Sequence, residues 1–333
     1  MTESSWPWPA GAATGIGSLP GTDIAEAQRI VLGELPDLPH LPELPARGPG
    51  AELIGRGAGF LVELPVQVYA GQWQIAARPG RDMRRTADLL ARDLDTLSEQ
   101  ADGYAGVFKV QATGPWTLAA GVDLPIGGRL LRDLGAVRDL TDSLAEGLRR
   151  HVADVAARLP RATVLLQLDE PSLPTVLAGH VRTESGLGAY RPVDVADAAT
   201  ALRTVVQAVG APVVVHCCAP EVPLQVVRDS GAAAVALDLD LVTDLDPLGE
   251  AIEAGLGLFA GAASTRPVDG RAPTSAQVAD RVRTLWNRLS FPVTRLPRQV
   301  VVTPACGLAG ATAPYARAVL EACRDAGRRL AEA

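Results

Sequence analysis

The chain has 333 residues, 47% of them hydrophobic and 21% charged, with a formal net charge of −7. That acidic balance, without a basic cluster, argues against a nucleic-acid partner, and four cysteines in this length do not make a disulfide framework. No stretch reaches the roughly 18 uninterrupted apolar residues of a membrane helix, and Met1–Trp8 has neither a basic n-region nor an apolar h-region, so a cytoplasmic soluble protein is expected.

Strand candidates recur along the chain at Thr14–Leu19, Gly59–Leu64, Val107–Thr113, Thr163–Leu168, Val213–Cys218, Ala233–Leu239, Leu256–Ala262 and Val300–Pro304. Helical patterns fall near Asp23–Leu32, Arg84–Ala101, Ala136–Arg158, Val195–Val209, Pro220–Asp229, Pro247–Glu253, Ser275–Leu289 and Pro314–Ala333. Alternating strands and helices imply parallel pairing with helical crossovers. Eight such units in 333 residues fit a (β/α)₈ TIM barrel with insertions, read as a single domain over residues 1–333; a doubly wound open sheet is the alternative. The Pro-rich Leu35–Gly50 reads as an extended loop. Leu173–Val193 lacks clear periodicity, and both segments are expected on the mouth side of the barrel.

Barrel enzymes place working residues at the C-terminal ends of strands. Here the first strand ends in Gly17-Ser18-Leu19-Pro20, the second carries Glu63, the third runs into Gly114-Pro115-Trp116 and the fourth gives Asp169-Glu170-Pro171. The fifth, Val213-Val214-Val215-His216-Cys217-Cys218, is a β-branched run finishing on soft metal ligands. Side chains alternate along a strand, so His216 and Cys218 share a face and Cys217 points away. The sixth ends in Asp238 and Asp240, the seventh offers only Ser264 and then Arg266, and the eighth leads to Cys306. Cys323 sits in a helical pattern and reads as a packed small hydrophobe.

His216, Cys218 and Cys306 supply the nitrogen and two sulfurs of a Zn²⁺ site, and Asp238 or Asp240 can complete it, Asp238 being the first acid after its apolar run. Two thiolates and a carboxylate outweigh the charge of the ion. Such a centre is a poor Lewis acid for making hydroxide, but it suits an incoming thiol held as a nucleophilic thiolate. Thiol alkylation therefore fits better than hydrolysis. The Asp169-Glu170 pair can bind an ammonium group or a hydroxyl, Ser18 a substrate carboxylate, and Trp116 can stack a planar donor; a helix cap and a buried indole are the plainer readings of the acids and the tryptophan.

With these residues collected, the chain resembles the catalytic half of cobalamin-independent methionine synthase. Ile16-Gly17-Ser18-Leu19-Pro20-Gly21-Thr22, Gln111 to Thr117, Asp169-Glu170-Pro171, His216-Cys217-Cys218 and Pro304-Ala305-Cys306-Gly307-Leu308 carry the resemblance and run in the family's order. It implies a (β/α)₈ barrel that transfers a methyl group to the zinc-bound thiolate of homocysteine. It also implies that His216, Cys218, Cys306 and Asp238 (in place of the family's glutamate) bind the metal, and that Ser18, Glu63 and Asp169 hold the amino-acid end of the substrate. The family carries a histidine at the end of the seventh strand where this chain reads Ala262-Ala263-Ser264-Thr265-Arg266. The chain is similar to short single-barrel relatives, some of which take methyl groups from a corrinoid protein, and the resemblance implies methylfolate or a methyl-corrinoid protein as the donor here. An alkyltransferase for another small thiol, a metal-free decarboxylase-like barrel, and a non-catalytic barrel binding thiol or metal are the other readings.

Overall fold

Runs of β-branched and small apolar residues between helices become the buried parallel wall expected of an α/β protein. The computed structural model describes residues 6–332; Met1–Ser5 and Ala333, and with them most of the Met1–Trp8 segment and the last residue of the C-terminal helical pattern, lie outside the described residues. In chain order the strands are β1 (Val66–Tyr69), β2 (Gln72–Ile75), β3 (Gly106–Thr113), β4 (Val122–Asp123), β5 (Ala162–Asp169), β6 (Val213–Cys217), β7 (Ala234–Asp238), β8 (Gly257–Ala263) and β9 (Val300–Pro304). The helices are α1 (Ile24–Glu34), α2 (Leu53–Ala58), α3 (Arg81–Gln100), α4 (Pro115–Gly121), α5 (Leu134–Arg158), α6 (Leu173–Leu177), α7 (Val195–Val209), α8 (Leu224–Asp229), α9 (Asp246–Glu253), α10 (Ser275–Arg288), α11 (Leu296–Gln299) and α12 (Ala313–Ala331). Side-chain caps start several of them, among them Asp133 on α5 and the reciprocal Thr274–Gln277 box on α10.

Strands β3, β5, β6, β7, β8 and β9 pair in that order, all parallel. Two extended segments close the ring. Ala13 pairs with Val302 of β9, His40 with Lys109 of β3, and Ser18 with Glu43. Their bonds include Thr14 N–H to Val302 O (3.1 Å), Leu41 N–H to Lys109 O (2.9 Å) and Leu19 N–H to Glu43 O (2.9 Å). The sheet is thus a closed eight-position barrel rather than an open doubly wound sheet.

The second wall position is a correction to the sequence reading. Gly59–Leu64 is not a strand. Gly59 caps α2, and the segment after it lies against α5, where Val62 N–H donates to Ser143 Oγ (2.9 Å) and Ser143 Oγ donates back to Val62 O (2.7 Å). The wall is instead built by residues 39–43, inside the Pro-rich stretch expected to be a mouth loop. Prolines fit there because Pro39 contributes its carbonyl to Lys109 N–H (2.9 Å), while the N–H groups the wall needs come from Leu41 and Glu43. The Leu173–Val193 stretch holds α6 and an Arg182–Ala189 bridge. A small sheet of β1, β2 and β4 was not expected from the sequence.

The barrel interior is layered. Val107, Leu165, Val214, Ala234, Ala236, Phe259 and Val301 form an apolar floor, with Trp8 edge-on to Phe259 at 5.0 Å between ring centroids. Above it lie Lys109, Gln111 and Gln167, all fully buried. Asp169 and His216 stand above those, at the strand tips.

Candidate metal centre

Strand β6 is buried along its whole length, and its alternation turns His216 inward while Cys217 packs outward at 0% exposure. Cys218 follows at the tip. Cys306 arrives from β9, whose exit is fixed by two backbone hydrogen bonds and two close glycine contacts. Ala305 N–H donates to Ala263 O (2.8 Å) and Leu308 N–H to Ser18 O (2.8 Å). Gly261, at a register slip between β8 and β9, lets the backbone of Ala305 come close; a Cβ there would meet the Ala305 Cα at 2.9 Å. At Gly307 a Cβ would collide with Ser18 Oγ, so glycine keeps Ser18 against the Cys306 turn.

The ligand atoms of His216, Cys218 and Cys306 lie within 4.8 Å of one another. The two sulfurs are 3.1 Å apart as free thiols. His216 Nδ1 meets Asp169 Oδ1 at 2.7 Å, while buried Nε2 has no hydrogen-bond partner. An orphaned ring nitrogen beside two sulfurs is the donor set that Zn²⁺ takes, with a carboxylate on the far ring nitrogen. The residues therefore fit the ion.

Charge is concentrated here. Burial would hold the His216 imidazolium down, but the Asp169 hydrogen bond and the nearby Cys306 sulfur outweigh it and raise its pKa to about 9. The Cys218 thiol, and His216 beside it, hold Cys306 below the ordinary thiol range, while Cys218 is pushed up because it shares its proton with Cys306 and is buried. A divalent cation would replace these protons, as ligand binding to soft metals requires.

The pocket over these groups has a volume of about 250 Å³ and is lined by Ser18, Glu43, Asp169, His216, Cys218 and Cys306, with apolar neighbours such as Ile16 and Leu53. Glu43 is the residue the sequence reading missed. It occupies the place expected of Glu63, which lies beyond the wall segment in the chain packed on α5 and does not line this pocket. Arg56 Nε approaches Glu43 at 3.0 Å; Arg56 also meets Asp93, which Arg47 grips through both oxygens at 2.6 and 2.8 Å. Burial raises the Glu43 pKa, and Arg56 opposes the rise.

Three further expectations change. Asp169 and Glu170 do not act as a pair: Glu170 turns away to accept from Trp116 N–H (2.9 Å), Thr117 N–H (2.8 Å) and Thr117 Oγ (2.7 Å), capping α4. Asp238 keeps the inward parity of β7, but its Oδ1 accepts from Asp240 N–H (3.0 Å), and it is not among the converging ligands; Asp240 pairs outward with Arg281. Trp116 cannot stack a donor, because it is 1% exposed and its Nε1–H donates to Ala198 O (3.1 Å) under α7. The cavity it borders lies between α5 and α7, outside the barrel. Trp116→Ala is accordingly expected to lower unfolding free energy by about 3–5 kcal/mol in denaturant melts, with zinc content unchanged.

A sequence profile described as "Cobalamin-independent synthase, Catalytic domain" matches residues 12–329. No curated protein matches the chain. Among solved structures it is similar to a B12-independent methionine synthase from Shewanella sp. W3-18-1 in complex with selenomethionine, at 12% identity and a TM-score of 0.63, covering 97% of this chain and 98% of that one. A variant of mandelate oxidase with benzoyl-formic acid aligns over 93% of each chain at 13% identity, with a TM-score of 0.32.

Proposed function

The chain belongs to the cobalamin-independent methionine synthase family as its catalytic domain, hence a methyltransferase, and from that premise we propose that it is zinc-dependent and methylates the thiol of homocysteine to give methionine. The observation that carries this reading is the convergence of the His216 ring, whose Nε2 has no other partner, with the sulfurs of Cys218 and Cys306 at one pocket wall. These three would hold Zn²⁺ and leave a coordination position open to a thiol. Bound there, the ion would supply a Lewis acid that lowers the pKa of the substrate thiol. Asp238 is not among the converging ligands, and the reading does not require it.

The chain's own residues do the rest. Asp169 commits Oδ1 to His216 and Gln167, leaving Oδ2 without a protein donor among the described residues. Asp169 Oδ2 and Glu43 bind the substrate ammonium, and Ser18 binds its carboxylate. Fixing the acceptor this way supplies several kcal/mol of barrier reduction through orientation. On the donor side, β8 leads to Ser264, whose Oγ already donates to Arg266 O (2.8 Å). With no imidazole there to protonate a folate, a methyl-corrinoid protein is the favoured donor.

The test is turnover. Zinc-loaded protein is given homocysteine with methylcobalamin or with methyltetrahydrofolate, and methionine is quantified. Methionine is expected with the cobalamin donor. No methionine from either, in protein that holds zinc, would leave a binding barrel; an alkylated product only with a different small thiol would change the acceptor.

A further inference from the structure

One layer below the mouth, Lys109 is fully buried inside the barrel. Its Nζ donates to Ile16 O (3.0 Å), Gln111 Oε1 (2.9 Å) and Gln167 Oε1 (2.8 Å). An ammonium has three protons and no lone pair, so all its capacity is used and the direction of each bond is set. Because Gln167 offers its oxygen to Lys109, its amide nitrogen must face the other way. That nitrogen donates to Ile16 O (2.8 Å) and to Asp169 Oδ1 (2.7 Å). The same Oδ1 accepts from His216 Nδ1 at 2.7 Å. The chain of bonds thus runs one way, from a group that only donates to a carboxylate at the mouth.

We propose that Lys109 is a positioning residue for the metal centre: through Gln167 it fixes the Asp169 carboxylate, and through Asp169 it aims the His216 ring so that Nε2 faces the two sulfurs. The inference rests on the zinc reading of His216, Cys218 and Cys306. A space-filling role does not account for a lysine here, since an apolar side chain would fill the interior without the cost of burying an ammonium. That cost is visible: burial pulls the Lys109 pKa down to about 7 despite the opposing charges of Asp169 and Glu43. Without Lys109 the Gln167 amide is free to turn over. Its oxygen would then confront Asp169 Oδ1, two acceptors would face each other, and the imidazole would lose its fixed partner.

The experiment uses Lys109→Met, Gln167→Met and the double variant. Zinc affinity is measured by competition with a chromophoric chelator, and the exchange-protected His216 Nδ1–H is followed by ¹⁵N-edited NMR in metal-free protein. Each single variant is expected to bind zinc about 10-fold more weakly, the low end of the effect typical of losing a metal ligand's own hydrogen-bond partner, because that partner, Asp169, stays in place but is no longer fixed, and to lose the protected proton signal. The double variant is expected to lose no more than the weaker-binding single variant, because both act along one line. A role in stability alone would lower the melting temperature and leave the Nδ1–H signal and zinc affinity intact, and that result overturns the proposal. Additive losses would overturn the route through Gln167. Wild-type protein that binds no zinc would defeat the zinc reading instead, while the proton signal would still report on the hydrogen-bond chain. If Lys109→Met is insoluble, Gln167→Met alone decides, since it removes the link and leaves the lysine in place.

Discussion

Cys306→Ser is expected to strip the protein of its metal. Wild-type protein, purified without added chelator, should carry about one zinc per chain by elemental analysis, and the variant less than roughly a tenth of that, because a serine hydroxyl does not replace a thiolate as a soft ligand. The change should leave the fold alone. Cys306 lies past the end of β9 and is partly exposed, and the backbone bonds of Ala305 and Leu308 hold its turn on either side. Cys217→Ser is the matched control. That side chain is wholly buried on the opposite face of the same strand tip, so its loss should lower stability and keep the zinc. Equal zinc in wild type and Cys306→Ser would remove Cys306 from the centre.

The second large effect is expected at Glu43. Glu43→Gln should reduce kcat/KM for homocysteine by about two orders of magnitude, from losing a charged hydrogen bond worth roughly 2–3 kcal/mol at a desolvated site. The loss should appear mainly in KM if Glu43 binds the ammonium equally in ground and transition states. Arg56 keeps its contact with Asp93 in the variant, so the buried guanidinium is not stranded. Glu63→Gln should stay within about twofold of wild type, as a surface substitution away from the pocket does. The reverse ranking would return the role to Glu63 and overturn the pocket described above.

These two experiments fall on either side of what the sequence could reveal. The triad was legible because β6 and β9 are unbroken β-branched runs, so the period of two placed His216 and Cys218 together, and each run stopped where the chemistry began. Glu43 was not legible. The tripeptide Glu-Leu-Pro occurs three times, at Glu34-Leu35-Pro36, Glu43-Leu44-Pro45 and Glu63-Leu64-Pro65. The copy at Glu43 sits among prolines that argue locally against a strand, and only bonds of its segment to Gly17 and Lys109, distant in sequence, make it a wall. Tertiary pairing overrode local preference there. Glu170 and Trp116 follow the plainer of their two sequence readings, a helix cap and a buried indole, since the Gly114-Pro115 start of α4 draws both into the packing behind the strand ends. Lys109 and Gln111 did leave a signal: polar residues at every second place in the otherwise apolar β3 mark one face of the strand as carrying hydrogen bonds inside the barrel.

The joint between Ala13 and Val302 joins residues near opposite ends of the described chain. A nascent polypeptide emerges from the ribosome in order, so β6 can form while Cys306 is still untranslated. Ser18 must wait until β9 has emerged before Leu308 arrives to hold it. Pairings of such long sequence separation are slow to form, and no truncated product ending before β9 can assemble a working pocket.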